Sequence, residues 1–180
     1  ATWSSLGEGL GGFGAVMTNF NGELIVAGGF GTAGGVTVNN IARWNGATWQ
    51  PLGSPAGTDG SVLALAVYEG ELVVAGTFSN AGGDSASRIA RWTGSEWRRM
   101  GSGLNAAGLG LAVLGEDLYV GGSFTMADDV PLTRGVARWD GANFHPVAGG
   151  AFGGVGDLAV YEGELIASGA INVEPLISAV

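Results

Sequence analysis

The chain has 180 residues, 46% apolar and 13% charged, and its acidic and basic side chains leave a formal charge of −9. That balance excludes recognition of a phosphate backbone, which needs clustered Lys and Arg, and there is no apolar run of about 18 residues to cross a membrane as a helix. Cys and Lys are both absent, which removes disulfides, thiolate metal sites, cysteine nucleophiles and lysine Schiff bases together.

Ala1-Thr2-Trp3-Ser4-Ser5-Leu6 reads as an outer strand with nothing before it to pair with. Asn21-Gly22 follows as a hairpin signal, since both positions accept positive φ. The segment Ile41-Ala42-Arg43-Trp44-Asn45-Gly46-Ala47-Thr48-Trp49 then returns at 89–97 and again at 136–144. Its first Trp sits at 44, 92 and 139, and its second aromatic at 3, 49, 97 and 144. A period of about 47 residues means one supersecondary unit copied about four times.

The second unit is the clearest. Val62-Leu63-Ala64-Leu65-Ala66-Val67-Tyr68 is an apolar run of strand length, as in a strand buried on both faces. Glu69-Gly70 turns the chain into strand 71–78, a polar loop 79–86 leads to strand 87–92, and Thr93-Gly94 turns into strand 95–100. One period therefore holds four antiparallel strands, a to d. The chain ends on an a strand (155–161), a b strand (164–171) and a short Leu176-Ile177-Ser178-Ala179-Val180 in the place of c.

Read as a two-residue turn, Asn45-Gly46 sets Trp44 opposite Ala47 and Ala42 opposite Trp49. The two indoles then share a face as diagonal neighbours. Glycines of the b strands (Ala27-Gly28-Gly29, Ala75-Gly76, Gly121-Gly122) are expected to leave room for rings from a neighbouring sheet. Packing between sheets is favoured over a sugar-stacking ladder, because Trp beside Ala on a sheet face is usually buried.

A four-stranded unit repeated every 40 to 50 residues predicts an all-β fold, a β-propeller of four four-stranded blades. The ring is expected to close when the N-terminal strand completes the last blade and covers its open edge. The whole chain, 1–180, is read as one domain, with repeats at approximately 1–46, 47–94, 95–141 and 142–180. The segments Ala27-Gly28-Gly29-Phe30, Gly121-Gly122-Ser123-Phe124 and the three Arg-Trp hairpins resemble kelch-like propeller repeats carrying an Ile-Ala-Arg-Trp-Asp-Gly signature. Such repeats occur in bacterial secreted and surface proteins and in fungal cortical-marker ectodomains. The resemblance implies a propeller and an extracellular or cell-surface location. Two departures stand out: four repeats are few for that group, and the last unit lacks the Arg and Trp of its c strand.

This strand order places the tight a–b and c–d turns on one rim and the long b–c and d–a loops on the other. Binding residues concentrate on loops held by a rigid scaffold, so the candidate face comprises 7–13, 31–40, 53–61, 79–87, 101–107, 126–133 and 148–154. Its candidate binding residues are Glu8, Asp59, Asn80, Asp84, Asn105, Asp128 and Asp129; simple solvation of glycine-rich loops is the plain alternative. Asp128-Asp129 is the one adjacent acidic pair in a long loop, yet no Asp-x-Asp-x-Asp-Gly spacing supports a Ca²⁺ site, and no metal or cofactor is expected. Asp157, in an inner strand where other units have Val16, Ala64 and Gly110, either lines a channel or is solvated there. His145, aligned with Ser4, Gln50 and Arg98, reads as surface. Arg43, Arg91 and Arg138 are expected to hold a carboxylate or carbonyl on the next blade, in preference to forming a ring of ligand-binding guanidiniums.

One surface His with no Cys or Lys is a thin inventory for catalysis, and no paired-carboxylate motif proposes a glycosidase. The expected function is a non-enzymatic recognition module of a secreted or cell-surface protein, binding a protein or glycan through the long-loop face. The alternative is a structural or assembly subunit, or a segment of a larger propeller, with no discrete ligand and possible association with further copies.

Overall fold

The computed structural model describes residues 2, 4–131, 133–147 and 152–172. Among these the regular structure is all strand. In the first sheet β1 (Leu10–Phe20) and β2 (Glu23–Ala33) form a hairpin, β3 (Val36–Thr37) folds back on β2, and β4 (Ile41–Trp44) and β5 (Trp49–Pro51) complete the order β1-β2-β4-β5. The second sheet holds β6 (Val62–Tyr68) and β7 (Glu71–Gly76), a two-stranded ribbon β8 (Asn80–Ala81) and β9 (Asp84–Ser85) stands apart, and β10 (Ile89–Trp92) and β11 (Trp97–Arg99) finish it. The third runs β12 (Gly108–Leu114), β13 (Asp117–Gly122), β14 (Val136–Trp139) and β15 (Phe144–Pro146), and β16 (Phe152–Tyr161) with β17 (Glu164–Asn172) make a final two-stranded sheet.

The a–b turns form as the sequence predicts. Asn21 and Gly22 take φ of 52° and 81°, and Glu69 and Gly70 take 49° and 76°, the paired left-handed conformation whose twist matches the flanking strands. Each a strand also carries a bulge, between Gly14/Val16, Val62/Ala64, Gly108/Gly110 and Val155/Asp157, and the first carries another between Leu10/Gly12. At the Val62/Ala64 bulge a Cβ on Gly76 would run into the Ser61 carbonyl oxygen. The glycine is there to let two backbones close up at a bulge. This corrects the expectation that b-strand glycines make room for rings.

The sheets stack in chain order: β6 lies against β1 and β2, β12 against β6 and β7, and β16 against β12 and β13. Phe20, Ile25, Ala27 and Ile41 of the first sheet share a core with Leu72, Val74 and Trp92 of the second. Tyr68, Val73, Ala75 and Ile89 meet Leu118, Val120 and Trp139 of the third in the same manner, and Val136 and Ala112 meet Val155 and Leu158 of the fourth. Every interior sheet therefore buries both faces, which is why the a strands are near-continuous apolar runs.

The expected closure into four four-stranded blades is not found. Among the described residues the last sheet has two strands, residues 2 and 4–6 carry none, and the series of sheets is open at both ends. Trp3 and the segment 176–180, on which closure was expected to rest, lie outside the described residues.

The c–d hairpins also differ from expectation. Trp44 pairs directly with Trp49, Trp92 with Trp97 and Trp139 with Phe144, so each loop has four residues. The side chain at its first position makes it. Asn45 Oδ1 accepts from the Ala47 and Thr48 amides at 3.0 and 2.9 Å, and Asp140 Oδ1 accepts from Ala142 and Asn143 at 2.9 and 2.8 Å. A local side-chain turn of this kind competes with the two-residue hairpin and wins. The rings stack as direct cross-strand pairs with centroids 5.3, 5.3 and 4.7 Å apart. Trp97 Nε1 donates to the Leu52 carbonyl of the preceding sheet at 3.1 Å, and Trp49 Nε1 to Leu6 at 2.9 Å. Trp97 thus ties the second sheet to the end of the first, and Trp49 ties the first sheet to the loop in front of it.

The recurrent Arg side chains stay within their own sheet rather than reaching the next. Arg43 pairs with Glu23 and Arg91 with Glu71 at 3.3 Å, and Arg138 pairs with Asp117 at 2.8 Å. Each partner is the first residue of the adjacent b strand, placed on the same face one step along the pleat.

Candidate functional site: the strapped loop rim

The long loops do gather on one rim, where they are strapped together by backbone. Gly34, Gly82 and Asp128 amides donate to the Gly9, Gly57 and Gly103 carbonyls, each at 2.8 Å. Isolated bridges Thr58–Ala81 and Leu104–Ala127 continue the straps. In the first three sheets the loop entering the sheet is in this way sewn to that sheet's b–c loop.

Candidate residues perform that sewing, Asp59 with Asn80 in one repeat and Asn105 in the next. Asp59 Oδ1 accepts from the Ser79 and Asn80 amides at 2.7 and 2.8 Å, and its Oδ2 accepts from Asn80 Nδ2 at 2.7 Å. Asn105 does the same one repeat later, its Oδ1 taking the Thr125 and Met126 amides at 2.9 and 3.1 Å and its Nδ2 donating to Thr125 Oγ1 at 2.8 Å. In the first unit Gly11 takes this place and the Thr32 hydroxyl fills the space a side chain would need.

Desolvation raises the Asp59 pKa, but the hydrogen bonds from Asn80 and Ser79 outweigh it and hold the carboxyl below 3.8. A carboxylate whose folded pKa is depressed stabilises the fold above the unfolded value, and that contribution fades as pH falls through the folded one. Asp59→Asn is expected to be weaker than the parent at pH 7, because its Nδ2 would face the Asn80 Nδ2 that Asp59 Oδ2 accepts from, whereas Asn105 Nδ2 meets the Thr125 hydroxyl, and to lose less stability on acidification. Asp59→Ala should be weaker at both pH values. Denaturant midpoints at pH 7 and pH 3 check this; an unchanged acid loss in Asp59→Asn would assign the pH dependence elsewhere.

Asp128 and Asp129 are a turn. They stand where Gly34-Gly35 and Gly82-Gly83 stand in the other units, with φ of 52° and 58°, a conformation Asp tolerates better than most residues. Asp128 Oδ1 accepts from the Ser102 amide at 2.7 Å. Among the described residues no three His, Asp or Glu side chains converge as a metal site requires. Glu8, Asp84 and Asp129 are exposed, so these three carboxylates face outward from the rim. Asn39, Asn40, Pro55, Asp59 and Asn80 line a shallow cleft of about 500 Å³ between the first and second sheets. Of the expected loop face, residues 132 and 148–151 lie outside the described residues.

The tight-turn rim is less bare than the sequence suggests. Between the second and third sheets a cleft of about 560 Å³ is lined by Val67, Tyr68, Glu69, Glu116 and Asp140. Tyr68 closes its floor, its hydroxyl donating to the Glu116 carbonyl at 2.8 Å, and burial raises the phenol's pKa. Asp140 is held far below the usual carboxylate range by the Asn143 and Ala142 amides and by His145, whose Nε2 lies 2.6 Å from Asp140 Oδ2. Asp157 is exposed, with Oδ1 accepting from the Leu158 amide at 2.8 Å.

Two stretches, 21–46 and 70–93, match the family model described as a domain of unknown function (DUF5122) beta-propeller. Each match runs from the a–b turn through the b strand and the long loop to the c strand, one in the first repeat and one in the second. No curated protein matches the chain. The Arg43–Glu23 and Arg91–Glu71 pairs, and the strap residues Gly34 and Gly82, lie within the matched stretches.

Proposed function

We propose that this chain is a non-enzymatic recognition module of a secreted or cell-surface protein, which binds a protein or a glycan through the long-loop rim. The observation that carries the reading is the division of labour on that rim. Asp59, Asn105 and Asp128 are spent on fixing loops, which leaves Glu8, Asp84 and Asp129 exposed on a pre-formed surface. Fixed loops lower the ordering cost of binding, and outward carboxylates suit hydroxyl-rich or basic partners. The likeness of the Arg-Trp hairpins to kelch-like repeats of surface proteins supports the location.

The test begins with the chain on a glycan array and against cell-surface protein extracts. On the ligand found, Glu8→Gln/Asp84→Asn/Asp129→Asn should weaken binding at least tenfold, about 1.4 kcal/mol. Glu69→Gln/Glu116→Gln on the opposite rim should change it less than twofold. Equal losses, or a larger loss from the second variant, would move the site to the tight-turn cleft.

A further inference from the structure

The first three sheets carry the same unit, so a residue present in only one of them is not demanded by the shared fold. Three such departures fall in the second sheet. Asp84 follows the strap turn where the first and third sheets carry Val36 and Val130. Ser95 and Glu96 stand in the c–d loop where the others carry Ala47-Thr48 and Ala142-Asn143. All three line one cavity of about 200 Å³ beside the β11 edge, together with Ser54, Trp92 and Trp97.

The walls of this cavity are fixed by bonds within the protein. Asp84 lies on β9, paired with β8, and Asp59 holds β8 through the amide and side chain of Asn80. Arg98, which replaces Gln50 and His145 of the other sheets, donates from Nε and Nη2 to Glu96 Oε1 at 2.9 and 2.6 Å, leaving Oε2 to accept elsewhere. Trp97 is half-buried, whereas its equivalents Trp49 and Phe144 are 6% and 2% exposed. Trp92 is itself 5% exposed, and its indole N–H, unlike that of Trp97, donates to no described residue.

We propose that this cavity is a saccharide-binding subsite. Carboxylates accept strongly from neighbouring hydroxyls, and the apolar body of an indole suits the C–H face of a sugar ring. There is room for one pyranose and little more. A basic side chain fits less well, because Arg98 already meets the charge of Glu96 and one partly exposed ring does not enclose a cation as an aromatic cage does. Walls fixed in advance lower the ordering cost of binding. The subsite rests on the recognition reading of the long-loop rim and narrows its ligand class to a sugar.

The probes are glucose, galactose, mannose, N-acetylglucosamine and their short β-linked oligomers, read by saturation-transfer NMR and tryptophan fluorescence. At least one should bind the parent chain. Asp84→Val/Ser95→Ala/Glu96→Thr returns three positions to the first sheet's residues, so its urea midpoint should hold. Its binding should fall about tenfold or more, as loss of hydrogen bonds to charged acceptors does. Glu69→Gln/Glu116→Gln on the opposite rim should bind as the parent does. Should the triple variant lose stability, Asp84→Asn and Glu96→Gln, which change charge and keep shape, should show the same loss. A parent that binds none of these sugars overturns the subsite, and so does a sugar held equally well by the triple variant. The rim reading survives the first result if a protein partner is weakened by Glu8→Gln/Asp84→Asn/Asp129→Asn. It survives the second if Glu8→Gln/Asp129→Asn releases the sugar. A preference for Arg- or Lys-rich peptides over every sugar also overturns the subsite.

Discussion

Trp49→Ala is expected to cost about 3–5 kcal/mol, the usual cost of emptying a buried aromatic site, out of a total stability of about 5–15 kcal/mol. The side chain is 6% exposed, stacks on Trp44 and donates its indole N–H to the Leu6 carbonyl. Its loss opens a cavity and unties the loop in front of the sheet in one step. Trp49→Phe should cost only about 1 kcal/mol, the net worth of one hydrogen bond, because the third sheet carries Phe144 at this position and buries it to 2% exposure. Urea unfolding of the three proteins measures both differences. If Phe proves as damaging as Ala, the tether to Leu6 and not the ring's bulk carries the stabilisation.

Much of the architecture is legible because the repeat prints each structural rule several times. Three of the four a–b turns could be read because Asn21-Gly22, Glu69-Gly70 and Glu162-Gly163 put Gly second, where φ near 80° is needed; the other, Gly115-Glu116, puts Gly first, at φ 64°. The c–d turns could not be read from Asn45-Gly46 alone. Asn-Gly is the strongest two-residue hairpin signal, yet the aligned residues are Thr93 and Asp140, and Thr resists the left-handed region that turn demands. A side chain that caps a four-residue loop fits Asn, Thr and Asp alike. Comparing the copies would have set the register.

The Arg partners were legible in the same way, since Glu23, Glu71 and Asp117 recur at the head of every b strand. Of the site, sequence reasoning found the rim and named Asp59 and Asn105, 46 residues apart, without recognising them as one repeated latch. Polar residues on a loop look alike whether they bind a ligand or a neighbouring amide, and only the three-dimensional pairing of d–a with b–c loops separates the two. The tight-turn cleft left no signal at all. It arises from the gap between adjacent sheets, which no local pattern encodes.

The repeat also sets a rule for the long-loop turn. Gly82 sits at φ 60° in the second sheet's turn, and a Cβ there would lie 2.5 Å from Trp97 Cδ1. In the third sheet the same turn position is Asp128, at φ 52°, and the ring equivalent to Trp97 is Phe144. The indole of Trp97 cannot yield, because its N–H is tied to the Leu52 carbonyl. A phenyl ring is smaller than an indole and has no such tether. Gly82→Asp should therefore cost about 2–4 kcal/mol, the sum of overpacking and a left-handed non-glycine residue. In a Trp97→Phe background the same substitution should cost at least about 1 kcal/mol less, a coupling that a double-mutant cycle isolates. Additive losses would mean that ring and turn are independent, and that Asp128 and Phe144 share a sheet without needing each other.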